Sequence, residues 1–80
     1  MVRYLVRNVS YADEQLSQLP RSLRTAFDVE DLKDDPYAVG DPHENTRSYS
    51  TTFGEGGIIL YMISDEIATV TVLRVNWVDL

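Results

Sequence analysis

From residue 48 onward the chain alternates between apolar runs and short turn signals. Ser-Tyr-Ser-Thr-Thr-Phe at 48–53 gives way to Gly54-Glu55-Gly56-Gly57, residues 58–64 are followed by Asp65-Glu66, and a last run extends from Ile67 to Trp77. Three runs rich in β-branched and aromatic residues, separated by two short turns, predict an antiparallel meander. The second and third runs are apolar at nearly every position. Such strands are expected to have material packed on both faces, and that material has to come from the first half of the chain.

The first half begins with a short strand, residues 2–7, in which Arg3, Leu5 and Arg7 point one way and Val2, Tyr4 and Val6 the other. Ser10, with Asp13 one turn in, reads as a helix N-cap, and Ala12, Leu16 and Leu19 then recur at helical spacing, so a helix is expected over about 11–18. Pro20 suits the start of a second helix, which Leu23, Ala26, Phe27 and Leu32 carry to about Lys33 before Pro36 stops it. The two form a hairpin that lays Leu16, Leu19, Leu23 and Phe27 on the sheet. Arg21 and Arg24 near the start of the second helix, and Asp28, Glu30, Asp31, Asp34 and Asp35 near its end, both oppose the helix dipole, by a few tenths to about 1 kcal/mol per exposed charge. Either the helix frays early and the acids are solvated, or an acidic surface is kept for a basic partner. Residues 34–46, with two prolines and a glycine, read as a loop. The resulting order of one strand, two helices and three strands implies an α+β fold with a four-stranded, largely antiparallel sheet. The long crossover suits the first strand lying parallel to the last, which is then central.

Composition narrows the function. Eighty residues make one small domain, for which a partner chain is one source of added stability. The absence of cysteine excludes a disulfide framework, a thiolate zinc site and a cysteine nucleophile. The longest apolar run, 58–63, is too short to span a membrane, and the N-terminus lacks the apolar core of a signal peptide, so a soluble, cytoplasmic protein without membrane contact is expected. Thirteen acids against seven bases give a net charge of −6, which argues against a nonspecific polyanion binder unless the few bases gather on one face. Asp41, His43 and Glu44 are the only grouping that suggests a metal, but no helical or strand spacing organises them. No metal and no cofactor is expected. Asn8-Val9-Ser10 matches a glycosylation sequon that has no meaning without secretion. The glycines at 54–57 lie between two strands, where they serve a turn and not a phosphate.

Taken together, Tyr4-x-Val6, a helix with Ala12 and Leu16, Leu19-Pro20, Leu32 with Asp35-Pro36, Phe53-Gly54 leading to Tyr61, and Val70-x-Val72-Leu73-Arg74-Val75 resemble the RelE/ParE family of bacterial toxins from type II toxin–antitoxin systems. The resemblance covers nearly all of residues 1–80, as a single domain, and is to an acidic, short branch without the usual C-terminal tail. It implies a toxin neutralised by a cognate antitoxin and, in the RelE branch, a ribosome-dependent mRNA endoribonuclease. That chemistry, attack of a 2′-hydroxyl on the adjacent phosphate, needs bases to hold phosphates and groups to move protons. Anchoring on Tyr61 places Tyr49 and Thr51 on the second-strand positions that carry lysines in the family, and Ile58 on the third-strand arginine. Anchoring on Gly54 places Ser50 and Thr52 on the lysine positions instead. Val78 stands at the last-strand arginine. The candidate catalytic set is therefore Arg47, Tyr49, Arg74 and His43, with Arg47 and Arg74 expected to share the sheet face opposite the helices. The alternative is a non-catalytic binding protein on the same scaffold, acting by protein contact or only holding its antitoxin. Partners are an antitoxin, the ribosome and mRNA, or a second copy in a homodimer, because the apolar positions of the last two strands exceed what one helical hairpin covers.

Overall fold

The computed structural model describes residues 3–26, 30–43 and 47–78, and the expected meander is its centre. The elements are β1 (Leu5–Asn8), α1 (Ser10–Ser17), α2 (Arg21–Ala26), α3 (Glu30–Asp34), α4 (Pro36–Val39), β2 (Asp41–Pro42), β3 (Ser48–Phe53), β4 (Gly57–Ser64) and β5 (Thr69–Trp77). They form one sheet in the order β1-β5-β4-β3-β2, with β1 parallel to β5 and the other pairs antiparallel. The parallel first strand and the central last strand are as the crossover argument requires. The turns are also as expected: Gly54 (φ 56°) and Gly56 (φ 97°) supply positive φ between β3 and β4. The Gly57 backbone lies under the Phe53 ring of its register partner, where a β-carbon would meet ring atoms at 2.6 Å.

Three expectations are corrected. The stretch read as a loop holds α4 and β2, so the sheet has five strands. Its prolines do not break structure there: Pro36 opens α4, and the Asp35 carboxylate caps it by accepting from the Ala38 N–H at 3.3 Å. Ser10 is the first helical residue, Val9 is the N-cap without a side-chain bond, and Asp13 instead accepts from Asn8 Nδ2 at 3.0 Å. Of the second helix the structure describes Arg21–Ala26 (α2) and Glu30–Asp34 (α3); Phe27 lies outside the described residues. Arg24 reaches back to the Ser17 carbonyl at the end of α1 (2.9 Å). The last strand begins at Thr69, so Ile67 belongs to the turn and is exposed, and Ala68 closes that turn with φ 46°.

Packing covers one face of the sheet. Ala12, Leu23 and Leu32 from the helices and Leu19 from the link between α1 and α2 meet Phe53, Ile59, Tyr61, Val70, Val72 and Val75 from the strands, each fully buried large side chain contributing about 1.5–3 kcal/mol. Leu16, Tyr49, Ile63 and Trp77 are half-buried against this core. On the other face Ile58 and Met62 are exposed and Leu60 is half-buried, so the expected cover on both sides is not supplied by the described residues.

Strict alternation fails once in β5. Leu60 pairs with Arg74 but Tyr61 pairs with Val72, leaving Leu73 as an extra residue in a β-bulge. As a result Val72 and Val75 both enter the core, and Arg74 turns outward. The Val75 N–H, beyond the end of β1, is taken by Gln15 Oε1 of α1 at 2.7 Å.

Gly40 follows α4 where the chain crosses the Tyr61 hydroxyl. A β-carbon there would collide with Tyr61 Oη and stand 2.7 Å from the Ser50 carbonyl oxygen. Neither is the free end of a flexible chain. Gly40→Ala is expected to lower stability by about 1–3 kcal/mol in urea denaturation. An unchanged midpoint would show that α4 does not press on Tyr61 as described.

Candidate functional site

Tyr61 is fully buried at the centre of β4 and donates its hydroxyl proton to the Pro36 carbonyl at 2.7 Å. Burial raises its pKa to about 12, against the opposing effect of a backbone hydrogen bond from Gly40. Tyr49 of β3 pairs with Tyr61 in register and stacks on it, with centroids 5.8 Å apart and planes at 17°. Tyr37 of α4 meets Tyr49 edge to face at 5.7 Å. The outer end of this tyrosine row is tied to the β4–β5 turn: Asp65 accepts from Tyr37 Oη at 2.5 Å and from Tyr4 Oη at 2.7 Å. The hydrogen bond to Asp65 is the main cause that raises Tyr37 to about 12 and Tyr4 above the usual phenol value, while the two hydroxyls hold Asp65 below the usual carboxylate range.

Beside this row a cleft of about 290 Å³ is lined by Tyr37, Pro42, Arg47, Ser48, Tyr49 and Ile63. Tyr49 and Ile63 pack against the core, so the cleft opens at the rim of the helix-covered face. Arg47 and Tyr49 thus come together, as the sequence suggested. They are not joined by Arg74.

Arg74 lies on the open face, in a row with its partner Leu60 and with Ser50, the partner of Leu60. Two strand spacings of about 4.8 Å separate Arg74 from Ser50 at the backbone. His43 joins the far end of this row, its Nε2 2.9 Å from Ser50 Oγ and its backbone N–H donating to the Ser48 carbonyl at 3.0 Å. The expectation that Arg47 and Arg74 share one face is therefore corrected, because the bulge at Leu73 sends Arg74 outward while Arg47 borders the cleft beside Tyr49. Of the two pairs, Tyr49 and Thr51 turn toward the helices, Thr51 donating to the Val39 carbonyl at 3.2 Å, and Ser50 and Thr52 are on the open face.

One base was missed. Arg7 is exposed on β1 opposite Thr71, on the side of Leu5, which the alternation of residues 2–7 already indicated. Among the described residues, Arg3 is paired to Glu30 (2.7 Å) and Asp34 (3.2 Å) and Lys33 to Glu30 (3.3 Å), whereas Arg7, Arg47 and Arg74 make no ion pair. Tyr37 and Asp65 were missed too, since only the fold brings them together. No group of three metal-ligating side chains occurs among the described residues; Glu44, the third member of the sequence grouping, lies outside them. No described helix is long and apolar enough to cross a membrane.

No protein-family model matches the chain, and no curated protein sequence does. Solved structures do. A chain of the toxin–antitoxin complex RelBE2 from Mycobacterium tuberculosis is 35% identical with a TM-score of 0.82, the match covering 96% of this chain and 100% of that one. A chain of the intact E. coli RelBE toxin–antitoxin complex shares the fold at 16% identity and a TM-score of 0.81, over 96% of this chain and 99% of that one. A mutant of the E. coli toxin RelE in the free state does so at 18% identity and 0.77, over 94% and 83%.

The tyrosine–carboxylate clasp has a readable titration. In a spectrophotometric titration Tyr37 and Tyr61 are expected to ionise near pH 12. Asp65→Asn should bring Tyr37 down toward the ordinary phenol value and leave Tyr61 in place. The raised phenols stabilise the fold fully below about pH 10, the unfolded value, and that stabilisation is lost as pH rises through the folded values. The depressed Asp65 acts in the opposite sense: its contribution is present above about pH 4 and lost as pH falls through its folded value. A Tyr37 midpoint unmoved by Asp65→Asn would sink the clasp.

Proposed function

The chain belongs to the RelE family of toxins, and on that premise we propose that it is the toxin component of a type II toxin–antitoxin pair, neutralised by a cognate antitoxin and acting as a ribosome-dependent mRNA endoribonuclease. What carries the toxin reading is the likeness over essentially the whole chain to a chain of the M. tuberculosis RelBE2 complex. The exposed Leu5, Ile58 and Met62 on the uncovered face support a protein partner, since a monomer seldom leaves such a stripe bare.

For the chemistry, the open face offers Arg74 and Arg7 to hold phosphates and the His43–Ser50 pair as the nearest proton-transfer group. Charge that develops on the reacting phosphate is met by cations, and Arg74 is the one in line with His43. The exposed Asp41, the register partner of Ser50, stands at the end of the same row. A second reading, growth arrest by protein contact without cleavage, is favoured by one observation: Arg47 and Tyr49 stand on the other side of the sheet from Arg74 and His43, so the four do not converge.

Expression of the wild-type chain is expected to arrest growth, and co-expression of the antitoxin to relieve it. Translating ribosomes should yield cut messenger, and Arg74→Ala should slow cutting by about 100-fold or more, the scale of losing one preorganised charge-stabilising donor. Uncut messenger with persistent growth arrest would select inhibition by contact. Light scattering of the free chain separates the two occupants of the apolar stripe: one chain mass supports the antitoxin, two support a homodimer.

A further inference from the structure

The cleft beside Tyr37 has a property that surface aromatics seldom have: its ring is held before anything binds. Tyr37 is 44% exposed, yet its hydroxyl is bonded to Asp65 and its ring packs against Tyr49. A group already ordered loses little freedom when a ligand stacks on it, so more of the contact energy appears as affinity. Arg47 lines the same cleft, exposed and without an ion pair among the described residues. Its planar guanidinium presents a fork of donors suited to phosphate oxygens and also stacks on flat rings. Ile63 and Pro42 give an apolar wall, and Ser48 borders the opening. Asp65, which holds Tyr37, has each of its two oxygens occupied by a tyrosine hydroxyl.

A flat ring, a guanidinium and an apolar wall around 290 Å³ suit one planar base and one phosphate. This is at the small end of ligand sites, which run from about 300 Å³ upward. The cleft also adjoins the open face at the start of β3, where Ser48 pairs with the exposed Met62. A chain lying across the open face can therefore turn one base over this rim.

We propose that the cleft formed by Tyr37, Tyr49, Arg47, Ile63 and Pro42 is a subsite for a single unpaired RNA base, stacked on Tyr37, with its adjoining phosphate on Arg47. The proposal rests on the reading of the protein as one that acts on RNA. It adds a contact on the opposite side of the sheet from Arg74, reached over the edge rather than through it. Stacking on a tyrosine tolerates any base, so the subsite holds position along the strand and does not select sequence.

The test uses the purified full chain, isotope-labelled, titrated with a short single-stranded oligoribonucleotide and with the same backbone carrying one abasic residue. Ring resonances of Tyr37 and Tyr49 and the Arg47 Nε–H are expected to shift with the intact strand and to shift far less with the abasic one. Tyr37→Leu and Arg47→Ala should each weaken binding of the intact strand by about tenfold or more, the loss of one stacked base or one charged contact. Tyr37→Phe keeps the ring, loses only the bond to Asp65, and should retain most of the binding. Equal affinity for the abasic strand, shifts confined to Arg74 and its neighbours, or no binding at all overturns the subsite. Messenger cleavage is read separately. If ribosomes cut messenger normally with Tyr37→Leu and no strand enters the cleft, the subsite fails and the nuclease reading stands. If the cleft binds RNA and no messenger is cut, the nuclease reading fails and the subsite stands.

Discussion

The 2.7 Å hydrogen bond from the Val75 N–H to Gln15 Oε1 sits where the sheet changes its rule. Strand β1 ends at Asn8, opposite Val72, and β5 continues beyond it with no neighbour on that side. A backbone N–H left there half-buried would cost about 1–3 kcal/mol. Helix α1 supplies the acceptor from its own side chain, which fixes the helix on the strand while the bulge at Leu73 re-phases it. Had the alternation begun by Val70 and Val72 continued, residue 74 would have entered the core, and an unpaired guanidinium there would cost several kcal/mol. With the bulge, Val75 fills that space and Arg74 reaches solvent. The place of Arg74 on the open face is a consequence of this one irregularity.

A second row of contacts does for the opposite edge what Gln15 does for β5. Tyr61, Tyr49 and Tyr37 pass from the buried centre of the sheet to its rim, and each fixes the next by ring contact. The inner end is anchored on the Pro36 carbonyl and the outer end on Asp65, so α4 is clamped between the middle of β4 and the turn that follows it. Strand β2, two residues long, owes its place to this clamp, because α4 delivers the chain to the β3 edge. The clamp holds Tyr37 in place as one wall of the cleft beside Arg47.

These two devices divide the functional groups. Arg7 and Arg74 lie on the open face and Arg47 at the rim. Arg3, Lys33 and Arg24 are committed to Glu30, Asp34 and the end of α1. Any RNA that meets this chain does so through few cations, which places more of the burden on shape and stacking.

Much of the architecture was legible from pattern alone. The three strands after residue 48, the parallel pairing of the first strand with the last, the glycine turn and the apolar helix face follow from periodicity and turn chemistry, which are local properties of the chain. The RelE likeness was legible as well, through motifs in order. Local reading failed where a distant partner decides. Asp35 and Pro36 read as loop because a four-residue helix has too short a pattern to stand out, and only Tyr61 beneath it makes it worth forming. Arg24 seemed misplaced on its own helix because the carbonyl it caps belongs to the preceding one. The position of Arg74 relative to Arg47 could not be counted from residue spacing, since an inserted strand residue reverses every side chain beyond it. Residue types and their order determined the fold. Which of those residues meet was decided by a single bulge and the side chain that receives its free N–H.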